Sequence, residues 1–196
     1  MTTRLDQQIN FILEIDKLKS ILRQTPITGS EPRQENTAEH SWHIAVMASL
    51  FAEYAPAAVN VSRVVGMLLV HDIVEIDAGD TFAYDAGGYT DKEERERLAA
   101  DRLFGLLPAA QSTELRALWD EFEDFSTPES RYANALDRLQ PLLLNSRTGG
   151  GSWANHQVSR DQVLVRMEPI RTGIPELWTT VLAIVDDASA RGWLAT

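Results

Sequence analysis

The 196-residue sequence has no cysteine, which excludes a disulfide framework, a thiol nucleophile and any thiolate metal ligand. An intracellular home fits that absence, although the absence alone does not establish it. Long apolar runs are also missing, and the longest fall far short of the roughly 20 residues a membrane helix needs. The opening MTTRLDQQIN lacks the basic-then-apolar layout of a secretory signal, so a soluble, cytoplasmic protein with no membrane partner is expected. Positive charge is scarce: 18 Lys and Arg stand against 29 Asp and Glu, for a net charge of −11. Such a field repels the backbone of a nucleic acid polymer and argues against a DNA- or RNA-coating role. A small anionic ligand would need positive charge supplied locally. Strand signals are thin, and no segment carries enough period-2 alternation to read as a strand. GGGS at 149–152 lacks the flanking Lys and Ser/Thr of a phosphate-binding loop and reads as a turn or loop.

What the chain does have is apolar content of 44%, enough for one continuous core in a single domain. Helical periodicity runs nearly throughout. Apolar residues recur from Leu5 to Leu22 at close to a 3.6-residue spacing, predicting a helix over 5–23. TPITGSEPRQEN breaks that pattern, and a second helix is expected over 36–54, ending before Pro56. A third, over 63–76 with Asn60 or Ser62 as cap, is apolar almost all round and should pack centrally. Thr90 and Glu93 have capping-box spacing and would open a charged helix to about 107. Further helices are expected at 112–125, 129–145, 160–168 and 175–190.

Within the central helix, LLVHDIVEIDAGD places His71 beside Asp72. Burying such a pair costs several kcal/mol unless each group is hydrogen-bonded or neutralised. A structural hydrogen-bond network is one answer. A divalent cation, which takes a neutral imidazole and an ionised carboxylate together, is the other. Adjacent helix residues point about 100° apart, so other elements must donate ligands. EHSWH offers His40 and His43, of which His43 reads as an ordinary half-buried histidine. Asp137 lies among Ala133, Leu136, Leu139 and Leu143, with Pro141 four residues on expected to kink the helix. Taken alone, such an Asp is more often a solvated acid on an outer face. Glu75, one turn after His71, is near enough to act as acid or base without being a ligand. Asp80 follows Gly79 and is placed to lean over a site mouth, and Asp77 is the weaker candidate of the two.

ENTAEHSWH, VHDIVEIDAGD and ALDRLQPLLLN, in that order, resemble the HD-domain metal-dependent phosphohydrolases, and within them the 5′-deoxynucleotidase branch. The resemblance covers roughly residues 5–170. It implies an all-α HD-domain helical bundle with one divalent metal ion, Mn²⁺, Co²⁺, Mg²⁺ or Zn²⁺, held by His40, His71, Asp72 and Asp137. It implies catalytic roles for Glu75 and Asp80, with Asp80 also near the sugar. Arg33, from RQEN, would grip phosphate bidentately. The implied activity is removal of phosphate from a (deoxy)nucleoside 5′-monophosphate by attack of a metal-bound water. A His₂Asp₂ donor set favours a borderline transition ion over Mg²⁺.

One departure stands out. The branch carries an Arg-Trp pair before its RxEN element, whereas LRQTPITGSEP has Arg23 and no tryptophan, and Trp42 reads as core. Base and sugar selectivity are therefore left open. A nucleotide phosphodiesterase or nucleoside triphosphate hydrolase would keep the metal and change the substrate. A non-catalytic helical interaction protein would keep only the fold. Relatives are commonly dimers, so a homodimer is admitted. Trp153, Trp178 and Trp193 could supply the interface, with core packing the preferred reading.

Overall fold

Thr3 caps the first helix, α1 (Arg4–Ile15), through a reciprocal box with Asp6. The stripe expected to continue to residue 23 ends earlier. The chain tightens into a 3-10 turn at Asp16–Ser20, then extends as β1 (Leu22–Pro26), which pairs antiparallel with β2 (Gln34–Asn36). These strands correct the strand-free reading. They are three and five residues long with an irregular register, too short for alternation to show in the sequence. The computed structural model describes residues 2–29, 31, 33–85, 87–88 and 90–195.

Asn36 and Glu39 form a second box that opens α2 (Thr37–Leu50), and Asn60 caps α3 (Val61–Val70). The single helix expected over 63–76 is broken. A 3-10 turn at His71–Val74 leads into a short α4 (Glu75–Ala78) that stops at Gly79, whose φ of 75° suits a residue without a Cβ. The His-Asp pair thus sits where the helix changes pitch. α5 (Lys92–Phe104) starts without the expected Thr90–Glu93 box; Thr90 Oγ1 instead donates to the Gly87 carbonyl at 3.0 Å. α6 (Ala109–Asp124) is followed by α7 (Pro128–Arg147), capped by Thr127 and running on through Pro141. α8 (Gly151–Asn155), α9 (Arg160–Gly173) and α10 (Trp178–Ala190) complete the bundle.

Two apolar clusters meet at the break in the central helix. The larger joins Ile44, Met67, Leu68, Leu136, Leu139, Met167 and Val185 from α2, α3, α7, α9 and α10. The smaller joins Phe11, Val70, Ile73, Val74, Leu103 and Trp119. His71 lies between them, so both sides of its backbone are held by packing. Trp153 is buried, as core packing predicts, but Trp42 is 64% exposed and belongs to neither cluster. Among the described residues no helix is long and apolar enough to cross a membrane.

Candidate metal centre

Four side chains from three separate stretches of sequence converge at the helix break. Donor atoms of His40, His71 and Asp72 all lie within 4.8 Å of one another. Asp137 reaches in from α7, with Oδ1 3.0 Å from His40 Nε2 and 3.8 Å from His71 Nε2. Asp72 Oδ1 is 3.0 Å from His71 Nε2, and its Oδ2 is 3.9 Å from His40 Nε2.

The hydrogen bonds behind the imidazoles decide which nitrogen faces the carboxylates. His71 Nδ1 is 3.0 Å from the Leu68 carbonyl, which can only accept. Nδ1 therefore carries the proton, and in the neutral ring Nε2 presents its lone pair. His40 is held by Gln140. The Gln140 amide nitrogen faces the Glu35 carboxylate, another acceptor, and this turns the amide oxygen toward His40 Nδ1 at 3.2 Å. His40 Nδ1 must donate, leaving Nε2 as the inward lone pair. In the neutral rings, two imidazole lone pairs and two carboxylates thus point at one another, an arrangement that protons on the rings or a shared cation would relieve. His71 Nε2 is buried and makes no hydrogen bond of acceptable geometry, despite its closeness to Asp72. This donor set fits a divalent ion.

With protons as the only available cations, the same geometry reshapes the titrations. Burial opposes charge on His71, but Asp72 and Asp137 outweigh it and push the imidazole up to about 10. Burial likewise disfavours a charged Asp72, yet His71 beside it brings the carboxyl down to about 2. Burial opposes charge on Asp137 too, but His40 at hydrogen-bonding distance and His71 nearby hold its carboxyl well below the carboxylate range. Glu75 goes the other way: burial first, then repulsion from Asp72, raises it well above an ordinary glutamate. Asp80 is raised as well, chiefly by burial.

The cluster floors a cavity of about 310 Å³, at the low end of the roughly 300–1,000 Å³ typical of small-molecule sites. Asp72, Glu75, Asp80 and Asp137 line it with Arg23, Phe82, Tyr84, Arg138 and Arg166. Glu75 is 6% exposed and accepts from Thr37 Oγ1 at 2.8 Å through Oε2, so Oε1 is its uncommitted oxygen. Asp80 Oδ1 is 3.7 Å from Arg23. Asp77 lies outside, paired with Arg102 at the surface.

Arg33 is the departure from expectation. It is exposed and bonds Glu39 bidentately at 2.8 and 2.6 Å, away from the cavity. Arg23 faces the cavity instead, 2.9 Å from Asp72 Oδ2. Glu39 lies only six residues from Arg33, and that local partner holds the guanidinium on the outside. Three residues that sequence reasoning missed complete the centre: Gln140, Glu35 and Thr37. Gln140 carried the same signal as Asp137, a polar side chain on an apolar helix face three residues further on. Half-buried His43 also reaches it, with Nδ1 3.2 Å from the Gln140 amide nitrogen.

Comparison with known proteins identifies the family. The HD domain family matches residues 15–178. A 5′-deoxynucleotidase HDDC2 from Xenopus laevis is 32% identical over 136 residues, 67% of this chain and 66% of that protein. The Homo sapiens 5′-deoxynucleotidase HDDC2 is 30% identical over 135 residues, 69% of this chain and 65% of that protein. The chain therefore spans about two thirds of the length of these curated relatives. The crystal structure of a predicted metal-dependent phosphohydrolase from Magnetospirillum magnetotacticum is similar at a TM-score of 0.92 and 57% identity, over 98% of this chain and 99% of that one. An HD-domain phosphohydrolase from Listeria innocua, 20% identical, shares the fold at a TM-score of 0.60 over 93% of this chain and 86% of that one.

Proposed function

Because the chain belongs to the HD-domain family, we propose that it is a metal-dependent phosphohydrolase releasing phosphate from (deoxy)nucleoside 5′-monophosphates. The observation that carries this reading is the locked pair of imidazoles, whose inward nitrogens meet two carboxylates at the floor of a cavity. His40, His71, Asp72 and Asp137 would hold one divalent ion, with Mn²⁺ or Co²⁺ favoured over Mg²⁺ by the mixed nitrogen and oxygen donors. Such an ion polarises a phosphoryl oxygen and acidifies water in contact with it.

The chain's own residues supply the rest. Glu75 is buried beside Asp72 and retains its proton to higher pH than an ordinary glutamate, which suits it to hand a proton from Oε1 to a departing alkoxide oxygen. Thr37 fixes the other carboxyl oxygen and therefore the direction of transfer. Arg23 lies between Asp72 and Asp80, where it holds both carboxylates in place and limits their repulsion of an incoming phosphate. Asp80, at the mouth, can accept a hydrogen bond from a sugar hydroxyl. The aromatic wall of Phe82 and Tyr84, with ring centroids 5.4 Å apart, offers an apolar face to a base.

The cellular setting we propose is cytoplasmic, with the protein acting as a homodimer on free nucleotides. Apolar side chains left exposed on α1 and α2, including Leu13, Trp42 and Leu50, support pairing with a second copy, which light scattering would test. The activity itself is tested on protein stripped with a chelator and resupplied with Mn²⁺ or Co²⁺. Phosphate release from deoxynucleoside monophosphates should return with the ion. Metal bound but no release across a broad panel of phosphomonoesters, diesters and triphosphates would leave a helical interaction protein as the better reading.

A further inference from the structure

We propose that Arg166 is the residue that anchors the phosphoryl dianion of the substrate, an inference that rests on the hydrolase reading above. The cavity is lined by six acidic side chains, those of Asp72, Glu75, Asp80, Glu96, Glu123 and Asp137, so a dianion entering it needs positive charge from the wall as well as from the ion. Four cations line the same cavity: Arg23, Lys92, Arg138 and Arg166.

Three of these are committed to protein partners. Arg23 is ringed by Asp72 at 2.9 Å, Asp80 at 3.7 Å, Glu35 at 3.8 Å and Glu75 at 3.9 Å. Lys92 pairs with Glu96 at 2.8 Å. Arg138 donates to the carbonyl and side-chain oxygens of Asn134 at 3.0 and 2.6 Å. Arg166 differs. The one carboxylate within 4 Å of it among the described residues is Asp137, with Nη2 3.9 Å from Oδ2, beyond hydrogen-bonding distance.

The position is as telling as the availability. Asp137 turns Oδ1 to the two imidazoles and Oδ2 to Arg138 and Arg166. The arginine fork therefore lies next to the metal centre on its open, cavity side. A phosphate seated there would reach the fork without displacing any hydrogen bond of Arg166, and the planar guanidinium matches two phosphate oxygens at once. The helix that carries Arg166 is closely packed. α9 packs against α7 so closely that a methyl on Gly173 would lie 2.6 Å from Ala135 Cβ.

The alternative role for Arg166 is electrostatic support of Asp137, and the two roles separate experimentally. With Mn²⁺-loaded protein, inorganic phosphate binding is measured by calorimetry and as product inhibition, alongside KM for a deoxynucleoside monophosphate and the Kd for Mn²⁺. Arg166→Ala and the longer, uncharged Arg166→Gln should each weaken phosphate binding and raise KM by roughly 10- to 100-fold, the loss of one charged hydrogen-bonding partner. Mn²⁺ affinity should stay within about twofold of the parent protein, as it should in the off-site control Arg160→Ala. Phosphate binding unchanged in both Arg166 variants overturns the proposal, as does a shift confined to Mn²⁺ affinity. If the parent protein hydrolyses no ester, the hydrolase reading fails, and calorimetry with phosphate still decides whether Arg166 holds the anion.

Discussion

The side-chain oxygen of Gln140 lies 3.2 Å from Nδ1 of His40, and the amide is turned that way because its nitrogen faces the Glu35 carboxylate. A residue outside the donor cluster thereby selects which nitrogen of His40 is offered to an ion. Gln140 is 0% exposed, so these bonds are shielded from bulk solvent.

Gln140→Met, which keeps the length and removes the amide, should therefore weaken binding of Mn²⁺ or Zn²⁺ by about 10- to 100-fold, as loss of such outer hydrogen bonds does elsewhere. Calorimetric titration measures it. In the Zn²⁺-loaded protein, the exchange-protected imidazole proton of His40 should vanish while that of His71, bonded to the Leu68 carbonyl, persists. Unaltered affinity together with a retained His40 proton would remove Gln140 from this role.

Removing the ion should make stability depend on pH. Burial notwithstanding, Asp72 and Asp137 raise His71 to about 10 in the metal-free protein, from the ordinary imidazole value of 6.5. A raised imidazole contributes stability that is fully present below about pH 6.5 and is lost as pH climbs through about 10. The melting temperature of stripped protein should fall across that window, while metal-loaded protein, whose ion replaces the proton, should change far less. Metal binding at pH 7 should also release protons, seen as heats that vary with the buffer's ionisation enthalpy. A flat profile without metal counts against the arrangement.

Glu75→Gln preserves the acceptor for Thr37 and removes the transferable proton. Turnover should drop by roughly 10²- to 10⁴-fold with Mn²⁺ content unchanged. Loss of the ion in this variant would instead make Glu75 a ligand.

Gly173→Ala tests the scaffold beneath Arg166. The added methyl would overlap the Arg131 carbonyl and crowd Ala135, and overpacking of this kind costs about 1–3 kcal/mol. Thermal unfolding should register it. An unchanged melting temperature would mean that α9 can withdraw from α7 at no cost, leaving Arg166 less firmly placed.

Much of the centre was legible because charge on an apolar helix is a local anomaly. His71 with Asp72, and Asp137 among leucines, announce themselves through the cost of burial. Gln140 obeyed the same rule and was missed only because an uncharged amide raises a weaker alarm. Other features left no such trace. No Gly or Pro between Met67 and Ala78 marks the 3-10 break at His71–Val74, and β1 and β2 are too short for a period to register.

The sequence by itself determined the helical class, the single domain and the residues that can lie buried only with compensation, since each follows from composition and from spacing along one element. The choice between Arg23 and Arg33 belonged to the tertiary structure. Both are arginines beside the same turn, and what separates them is a strand pairing that turns Arg23 toward Asp72 while Glu39 keeps Arg33 at the surface. The same holds for Arg166, whose sequence neighbourhood is unremarkable. Its proximity to Asp137 exists only because α9 packs side by side with α7 beyond the intervening α8, and local periodicity carries no information about which helix will lie alongside.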